Sequence, residues 1–178
     1  MSSRRSNDAI LFGTALVVLA ADQISKHLVR LHLHRGIPWD PVSWLRPVLS
    51  LTYVTNEGAA FGLFPQMKPL YPWIAVAAIA FILFYLRRFP LDGWLIQVSL
   101  GMQLGGALGN LIDRLLRNGF VTDFIDLNFW PLQEWPVFNV ADSSVVVGTC
   151  ILAGLLLLEE ELLSPTSDTQ VSDEEHTA

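Results

Sequence analysis

The sequence has little charge and only one cysteine. Charged residues make up 16% of its 178 residues, whereas hydrophobic residues make up 52%. Cys150 has no cysteine to pair with inside the chain, so an internal disulfide is excluded and cysteine usage indicates no redox compartment. The mean hydropathy of +0.42, together with long uncharged runs, excludes an ordinary soluble globular protein.

The excess negative charge is concentrated at the C-terminus. The formal net charge is −6, but seven of the 17 acidic residues lie among the last twenty residues. The rest of the chain carries 11 basic and 10 acidic residues, which argues against a polybasic nucleic-acid-binding protein. Residues 164–178 are rich in Ser, Thr, Asp and Glu, and we expect them to form a disordered acidic tail after a single domain over residues 1–163.

Several common catalytic and cofactor motifs are also missing. The sequence has no Walker loop, HExxH or GxSxG motif, and its histidines show no recognised metal-ligand spacing, so we expect neither a metal nor a cofactor. Ser25 and Lys26 do not favour a Ser–Lys hydrolase, because adjacent residues of a helix point about 100° apart. Gly101, Gly105 and Gly109 are spaced by four, which indicates a helix-packing face rather than a nucleotide-binding loop.

Four long apolar segments predict membrane-spanning helices. A bilayer core of about 30 Å needs about 20 apolar helical residues, and backbone groups in lipid must be paired within the segment. A cleaved signal peptide is the alternative for the first segment, but three further spans make an uncleaved helix the simpler interpretation. The segments are Ala9 to about Leu28, Pro69–Leu86, Gly93–Ile112, and about Phe138 to Leu158.

Four spans place both termini on one side of the membrane and two long loops on the other. In these loops Val48–Thr55 and Phe120–Leu127 have the β-branched and aromatic composition of strands, and Ala59–Phe64 follows a turn signal as a possible return strand. Four tryptophans in the loops favour a small sheet that rests on the lipid headgroups. They are Trp39, Trp44, Trp130 and Trp135.

The distribution of Lys and Arg gives a conflicting signal about orientation. The side with the termini has four such residues, Arg4, Arg5, Arg87 and Arg88, and the loop side has seven. By the positive-inside rule this count favours loops in the cytoplasm.

Polar residues inside or beside the spans collect at the loop side. Asp22 lies about 20 Å along a helix from Ala9, and Asp142 lies about 24 Å from Leu158, at 1.5 Å per residue. The two acids are therefore expected at similar depth. The third span ends on the same side with Asn110, Asp113 and Arg114, and Asp123 and Asp126 follow in the next loop.

Each of these residues also has a purely structural explanation. Asp22 and Lys26 are spaced as an ion pair on one helix face, and Asn139 is placed to cap the fourth helix. Asp113 and Arg114 are equally explained as interfacial charges, and Asp126 as a solvated loop acid. Asp142 is harder to explain in this way, because it lies inside a span and neither Lys nor Arg follows it in the chain.

Two buried carboxyl groups at one face suggest a chemistry. When close together they share a proton, so that one acts as a base toward water and the other as an acid toward a carbonyl oxygen, as in aspartic proteases. An ion-coupled transporter would also use membrane acids, although the apolar inner halves of the spans disfavour it. A scaffold without enzymatic activity is the third interpretation.

Five sequence blocks, in order, resemble the lipoprotein signal peptidase, or type II signal peptidase, family of bacteria. The blocks are Asp22-Gln23-x-Ser25-Lys26, Asn56-Glu57-Gly58-Ala59-Ala60-Phe61-Gly62, Gly105-Gly106-Ala107-x-Gly109-Asn110-x-Ile112-Asp113-Arg114, Val121-x-Asp123-Phe124-Ile125-Asp126, and Phe138-Asn139-Val140-Ala141-Asp142-Ser143. They extend over residues 22–143 and all four predicted spans.

The resemblance implies an aspartic endopeptidase that removes the signal peptide of a prolipoprotein by cutting before a diacylglyceryl-modified Cys. It implies Asp123 and Asp142 as the catalytic dyad. Further positions that match the family's site-shaping residues are Asp22, Lys26, Asn56, Gly109, Asn110, Asp113, Arg114, Asn139 and Ala141.

The resemblance also implies a fold and a location. The fold is a membrane α-helical, four-transmembrane-helix bundle with a small extracytoplasmic β-sheet and an interfacial loop or helix. The location is the bacterial inner membrane, with both termini in the cytoplasm and the active site at the outer side, which overrides the charge count. The expected partners are lipidated prolipoprotein signal peptides and membrane lipids, with no nucleic acid, and we expect a monomer.

Overall fold

The computed structural model describes residues 2–58, 64–88 and 93–163 and has four long helices and three strands. The helices are α1 (Ser2–His32), α2 (Tyr71–Arg88), α3 (Trp94–Leu116) and α4 (Val140–Leu163), with a 3-10 helix at Pro65–Leu70 before α2. The strands are β1 (Pro38–Trp39), β2 (Leu49–Asn56) and β3 (Val121–Leu127). The predicted tail at residues 164–178 and most of the predicted return strand lie outside the described residues.

All four predicted spans are confirmed as helices long and apolar enough to cross a membrane. α1 is longer than the predicted segment at both ends, since it starts at Ser2 and continues to His32. Phe12, Leu16, Phe81, Phe84 and other large apolar side chains on the helices are exposed at the surface of the bundle. Lipid tails would cover this surface, as expected for spans that lack a polar face.

α3 is the central helix of the bundle and contacts α1, α2 and α4. Half of its most apolar stretch is buried, compared with 6% to 17% for the other three helices. Leu100 and Leu104 of α3 form an apolar cluster with Leu11 and Ala15 of α1 and with Ile82 of α2. The helix that carries the glycine pattern is therefore the one on which the others pack.

Glycines let the other helices approach α3 closely. A Cβ atom on Gly101 would lie 2.6 Å from the carbonyl oxygen of Leu11, and one on Gly105 would lie 2.6 Å from that of Ala15. A Cβ atom on Gly106 would lie 2.5 Å from the carbonyl oxygen of Ala141 on α4. The packing interpretation of the small-residue pattern is confirmed at these positions, since no larger residue fits there without a shift of the backbone.

The sheet is antiparallel with strand order β1-β2-β3. The two predicted strands are found within one residue of their expected limits, and their register pairs Val54 with Asp123. Residues Val121 to Phe124 of β3 are buried, so this strand lies against the bundle. Phe138, two residues before α4 begins, forms an antiparallel β-bridge with Ile125, so β3 lies beside the start of this helix.

Candidate active site

The polar residues singled out in the sequence come together at the sheet end of the bundle. α1 supplies Asp22 and Lys26, the last turns of α3 supply Asn110 and Asp113, and β3 supplies Asp123, while the start of α4 supplies Asp142. Four of them are almost completely shielded within the protein: Asp22 and Lys26 are 0% exposed, Asp113 is 1% exposed and Asp123 is 2% exposed. The other two, Asn110 and Asp142, are half-buried. Burial of so many charged groups requires that they be paired.

Asn139 links the two candidate catalytic acids. Its Oδ1 accepts a hydrogen bond from the backbone N–H of Asp142 at 2.9 Å, while its own backbone N–H donates to Asp142 Oδ2 at 3.2 Å. This reciprocal pair is the capping-box arrangement at a helix N-terminus, so the predicted cap of α4 is present. The Asn139 Nδ2 donates to Asp123 Oδ1 at 2.6 Å. One residue thus starts the helix and also binds both acids.

Each oxygen of the two acids receives one donor. Asp123 Oδ1 is bound by Asn139, and Asp123 Oδ2 accepts from Asn56 Nδ2 at 3.0 Å. Asp142 Oδ1 accepts from Asn110 Nδ2 at 2.7 Å, and Asp142 Oδ2 accepts from the backbone of Asn139. The four donors are neutral amides, so they orient the carboxyl groups without supplying a full positive charge.

The environment of Asp123 favours its protonated form. Burial, reinforced by the negative charge of Asp142, raises the pKa of Asp123 from 3.8 to about 7. The hydrogen bonds from Asn139 and Asn56 and the charge of Lys26 oppose this increase in pKa. A carboxyl group whose pKa lies close to neutral can both donate and accept a proton under physiological conditions.

Lys26 lies beneath the two acids and connects α1 to α3. Its Nζ is 2.9 Å from Asp22 Oδ2, 2.9 Å from Asn110 Oδ1 and 3.6 Å from Asp113 Oδ2. The expected pair of Asp22 and Lys26 is therefore present, but it is enclosed in the bundle and reaches a second helix. Asp22 also accepts a hydrogen bond from the backbone N–H of Ala141 at 3.0 Å.

Asp113 is a buried centre of ion pairs rather than a charge exposed at the surface of the protein. It lies 3.5 Å from Arg30 and 3.4 Å from Arg117, and it also accepts a hydrogen bond from the backbone N–H of Thr122 at 2.9 Å. Because Thr122 directly precedes Asp123, this bond fixes the start of β3 to the end of α3. Asp126 lies on β3 rather than in a loop, is half-buried and accepts a hydrogen bond from Thr52 at 2.6 Å.

The remaining expected residues line the same region. Gly109 lies against the carboxylate of Asp22 with no room for a Cβ atom, and Ala141 is fully buried. Arg114 donates to the carbonyl oxygen of Gly58 at 3.4 Å and lies over the ring of Tyr71 at 5.4 Å. Its Nε is buried and has no hydrogen-bond partner among the described residues.

Three residues without a predicted role also hold this region together. Arg30 donates to Thr122 Oγ1 at 3.0 Å, and Gln23 donates to the carbonyl oxygen of Gly109 at 3.0 Å. The spacing of four between Asp22, Lys26 and Arg30 was a signal for Arg30, because such residues share one helix face. Neither Gln23 nor Thr122 had a comparable signal, since ordinary polar residues gain a role only from their tertiary neighbours.

The fold and the site define a class of protein: a multi-pass membrane protein in which a buried and a half-buried aspartate, both hydrogen-bonded to Asn139, lie at one end of a four-helix bundle. The model of the family described as signal peptidase (SPase) II matches residues 14–158. The chain belongs to the signal peptidase II family.

Individual proteins show the same similarity. A lipoprotein signal peptidase of Moorella thermoacetica is 44% identical over 144 residues, which cover 81% of this chain and 90% of that protein. One of Halothermothrix orenii is 39% identical over 155 residues, with 86% and 99% covered. A solved structure described as a bacterial membrane enzyme matches with a TM-score of 0.76 and 27% identity, covering 89% of this chain and 92% of that chain.

Proposed function

We propose that this protein is an aspartic endopeptidase that removes the signal peptide from diacylglyceryl-modified prolipoproteins by cutting before the lipidated Cys. Asp123 and Asp142 are the catalytic dyad in this proposal. The observation that carries it is the bridge through Asn139, which holds both acids by direct hydrogen bonds. The family to which the chain belongs supports the substrate class.

The reaction needs one proton shared between the two acids. The charged carboxylate takes a proton from a water molecule, whose oxygen attacks the carbonyl carbon of the scissile bond, while the protonated carboxyl group donates to the carbonyl oxygen. Collapse of the resulting diol breaks the C–N bond: the leaving amine takes up a proton from one carboxyl group of the dyad, and a diol hydroxyl returns its proton to the other, which restores the singly protonated pair. With a pKa of about 7, Asp123 is the group that we expect to hold the shared proton.

The remaining supporting residues keep the carboxyl groups in place. Asn56, Asn110 and Asn139 donate to them, and Asp22, Lys26 and Asp113 form the charged layer beneath. Gly109 and Ala141 allow the helices to approach at the site. Arg114, with its buried Nε, is the group that we expect to face the substrate backbone.

The depth of the dyad suits a substrate held in the membrane. A prolipoprotein has an apolar signal helix and a lipid-modified Cys, so its scissile bond lies near the membrane surface. Asp142 lies in the first turn of α4, at the sheet end of the bundle. Because the spans end here, the dyad lies where the bilayer core meets the headgroup layer.

The location belongs to the same proposal. We place the protein in the bacterial inner membrane, with both termini in the cytoplasm and the sheet at the outer side, and we expect a monomeric peptidase domain over residues 1–163. Exposed Trp44 and Trp130 near the sheet support a headgroup location of that end. Membrane lipids are therefore expected partners.

Cleavage of a diacylglyceryl-modified precursor by the detergent-purified protein tests the activity. Asp123→Asn and Asp142→Asn are expected to lose cleavage while remaining folded, because neither amide can exchange the shared proton. Asp126→Asn is the matched control on the same strand and is expected to cleave normally, since an amide oxygen can still accept from Thr52.

The same variants separate the alternatives. If the protein is a scaffold, Asp142→Asn is expected to misfold. If it is a transporter, the wild type is expected not to cleave the precursor, and Asp142→Asn is expected to lose ion flux. Normal cleavage by both dyad variants would refute the proposal.

A further inference from the structure

Lys26 is buried completely and is bound to an uncharged side chain as well as to acids. Its three N–H donors face Asp22 Oδ2 at 2.9 Å, Asn110 Oδ1 at 2.9 Å and Asp113 Oδ2 at 3.6 Å. A buried ion pair is weak evidence for stability, because the loss of hydration offsets much of the attraction. The contact with Asn110, on another helix, therefore calls for a separate explanation.

The ammonium group decides which way the Asn110 carboxamide points. A carboxamide has one accepting end and one donating end, whereas an ammonium group has only donors. Lys26 therefore requires that Asn110 present its oxygen, and Asn139 Nδ2 donates to the same oxygen at 3.2 Å. The NH2 group of Asn110 is consequently directed to Asp142 Oδ1, at 2.7 Å.

Asn139 is oriented by the same principle. The backbone N–H of Asp142 can only donate, so it fixes the Asn139 oxygen and directs the Asn139 NH2 group to Asp123. The orientations of the Asn110 and Asn139 amides are thus each set by a group that has no accepting atom. Helix formation supplies that group for Asn139, and Lys26 supplies it for Asn110.

We infer that Lys26 is a positioning residue for catalysis, which acts by holding the Asn110 carboxamide with its NH2 group toward Asp142. Without Lys26 only the longer hydrogen bond from Asn139 holds the Asn110 oxygen, so the amide can turn. Its oxygen would then face the Asp142 carboxylate and displace the group that takes the proton from water. Asp22 balances the charge of Lys26 and is itself held by Gln23 at 3.0 Å and by Ala141 at 3.0 Å. This inference rests on the proposed function.

A double-mutant cycle with Asn110 tests the inference, because a residue that acts through Asn110 has no effect once Asn110 is gone. The single change Lys26→Met leaves the buried Asp22 without its cation, whereas Asp113 keeps Arg30 and Arg117. The working variant is therefore Asp22→Asn with Lys26→Met, which keeps the charge balanced. Steady-state cleavage of the lipidated precursor is measured for this variant, for Asn110→Ala and for the three changes combined.

The expected result is a loss of kcat without a loss of binding. Asp22→Asn/Lys26→Met is expected to lower kcat about 10- to 100-fold, a loss like that seen when a residue that orients an active-site side chain is removed. We expect KM to change by less than about twofold, because Lys26 does not contact the substrate and the groups that bind it are unchanged. In the Asn110→Ala background, the same pair of changes is expected to lower kcat by no more than about twofold.

Arg46→Gln is the control for loss of a positive charge. Arg46 pairs with Asp40 at 3.3 Å and is 75% exposed, so cleavage by this variant is expected to equal that of the wild type. The inference would be overturned if the variant with all three changes showed the product of the two separate losses in kcat. It would also be overturned if Asp22→Asn/Lys26→Met folded and kept the kcat of the wild type. Cleavage by the wild type and by Arg46→Gln would still support the proposed function, so the two can fail separately.

Discussion

Asp123 combines burial, a nearby acid and two amide donors at one carboxyl group. Burial and the charge of Asp142 raise its pKa to about 7, whereas Asn139 and Asn56 act in the opposite direction. The shift has a consequence for stability as well as for catalysis, because a group that holds a proton more tightly in the folded protein makes folding depend on pH.

The stability of the wild type is expected to fall as the pH rises through the range set by Asp123. Below about pH 4 this carboxyl group is protonated in both the folded and the unfolded chain. Between pH 4 and 7 the unfolded chain loses the proton and the folded protein keeps it, so stability decreases, and the effect levels off above pH 7. Asp123→Asn cannot ionise, so its advantage in apparent melting temperature over the wild type is expected to grow across this range.

The expected advantage in the free energy of unfolding is on the order of a few kcal/mol, since one pKa unit corresponds to about 1.4 kcal/mol. Thermal unfolding in detergent at a series of pH values measures it. Asp126→Asn serves as the comparison from the same strand. A difference between Asp123→Asn and the wild type that is constant with pH would contradict the prediction.

At the scale of single residues, the sequence indicated most of the polar cluster. The position of Asp142 inside a span and the block spacing pointed to the acids and asparagines that the structure brings together. The burial of Asp113 and the pairing of Asp126 could not be predicted, because both depend on residues from other elements. Whether these residues carry the proposed activity stays a prediction until the variants are measured.

At the scale of elements, the close contact between α1 and α3 depends on glycine residues, which have no side chain to separate the helices. A Cβ atom on Gly105 would lie 2.6 Å from the Ala15 carbonyl oxygen and 2.8 Å from Val18 Cβ. These neighbours are backbone and a β-branched side chain, which cannot swing away. Any enlargement at Gly105 must therefore separate the two helices that carry Lys26 and Asn110.

Gly105→Ala is expected to destabilise the protein by about 1–3 kcal/mol, as overpacking in a well-packed core does. Cleavage should fall as well, because the contact between Lys26 and Asn110 spans the same pair of helices. Gly13→Ala is the matched control on α1, since nothing lies within 4 Å of a Cβ atom there.

Gly13→Ala is expected to leave stability unchanged or to raise it by up to about 1 kcal/mol, the difference in helix propensity between the two residues. Thermal unfolding and precursor cleavage of both variants provide the measurement. Equal effects of the two substitutions on stability and cleavage would contradict the prediction that close packing at Gly105 is required.

The helices were the most predictable elements, because lipid leaves the backbone few alternatives to an α-helix. β2 and β3 followed from their composition. β1 could not be predicted, since a two-residue strand with a proline exists only through its pairing with Leu51 and Thr52 on β2.

At the scale of the whole molecule, the count of Lys and Arg favours the opposite orientation to the one proposed. Many loop-side cations are paired or enclosed: Lys26 binds Asp22, Arg30 and Arg117 lie at Asp113, and Arg46 lies at Asp40. Lys26 is also fully buried in the bundle. Most of the seven loop-side cations therefore have an acidic partner within the fold.

Labelling of single cysteines in intact cells tests the proposed orientation. In a Cys150→Ser background, Ser43→Cys on the exposed loop at the sheet end is expected to react with a membrane-impermeant maleimide. Arg88→Cys, exposed at the end of α2, is expected to react only after the inner membrane is opened. The reverse pattern would place the sheet in the cytoplasm, and retained cleavage by both variants would establish that each is correctly folded.

Asn139 has a practical consequence for how the molecule loses activity. Fraying of the first turn of α4 breaks the Asn139 hydrogen bonds to both acids, so local melting of this turn is expected to inactivate the protein. A compound that occupies the space between the carboxyl groups will also clamp this turn. Tight inhibitors of the enzyme should therefore be recognisable as thermal protectants even when no substrate is at hand.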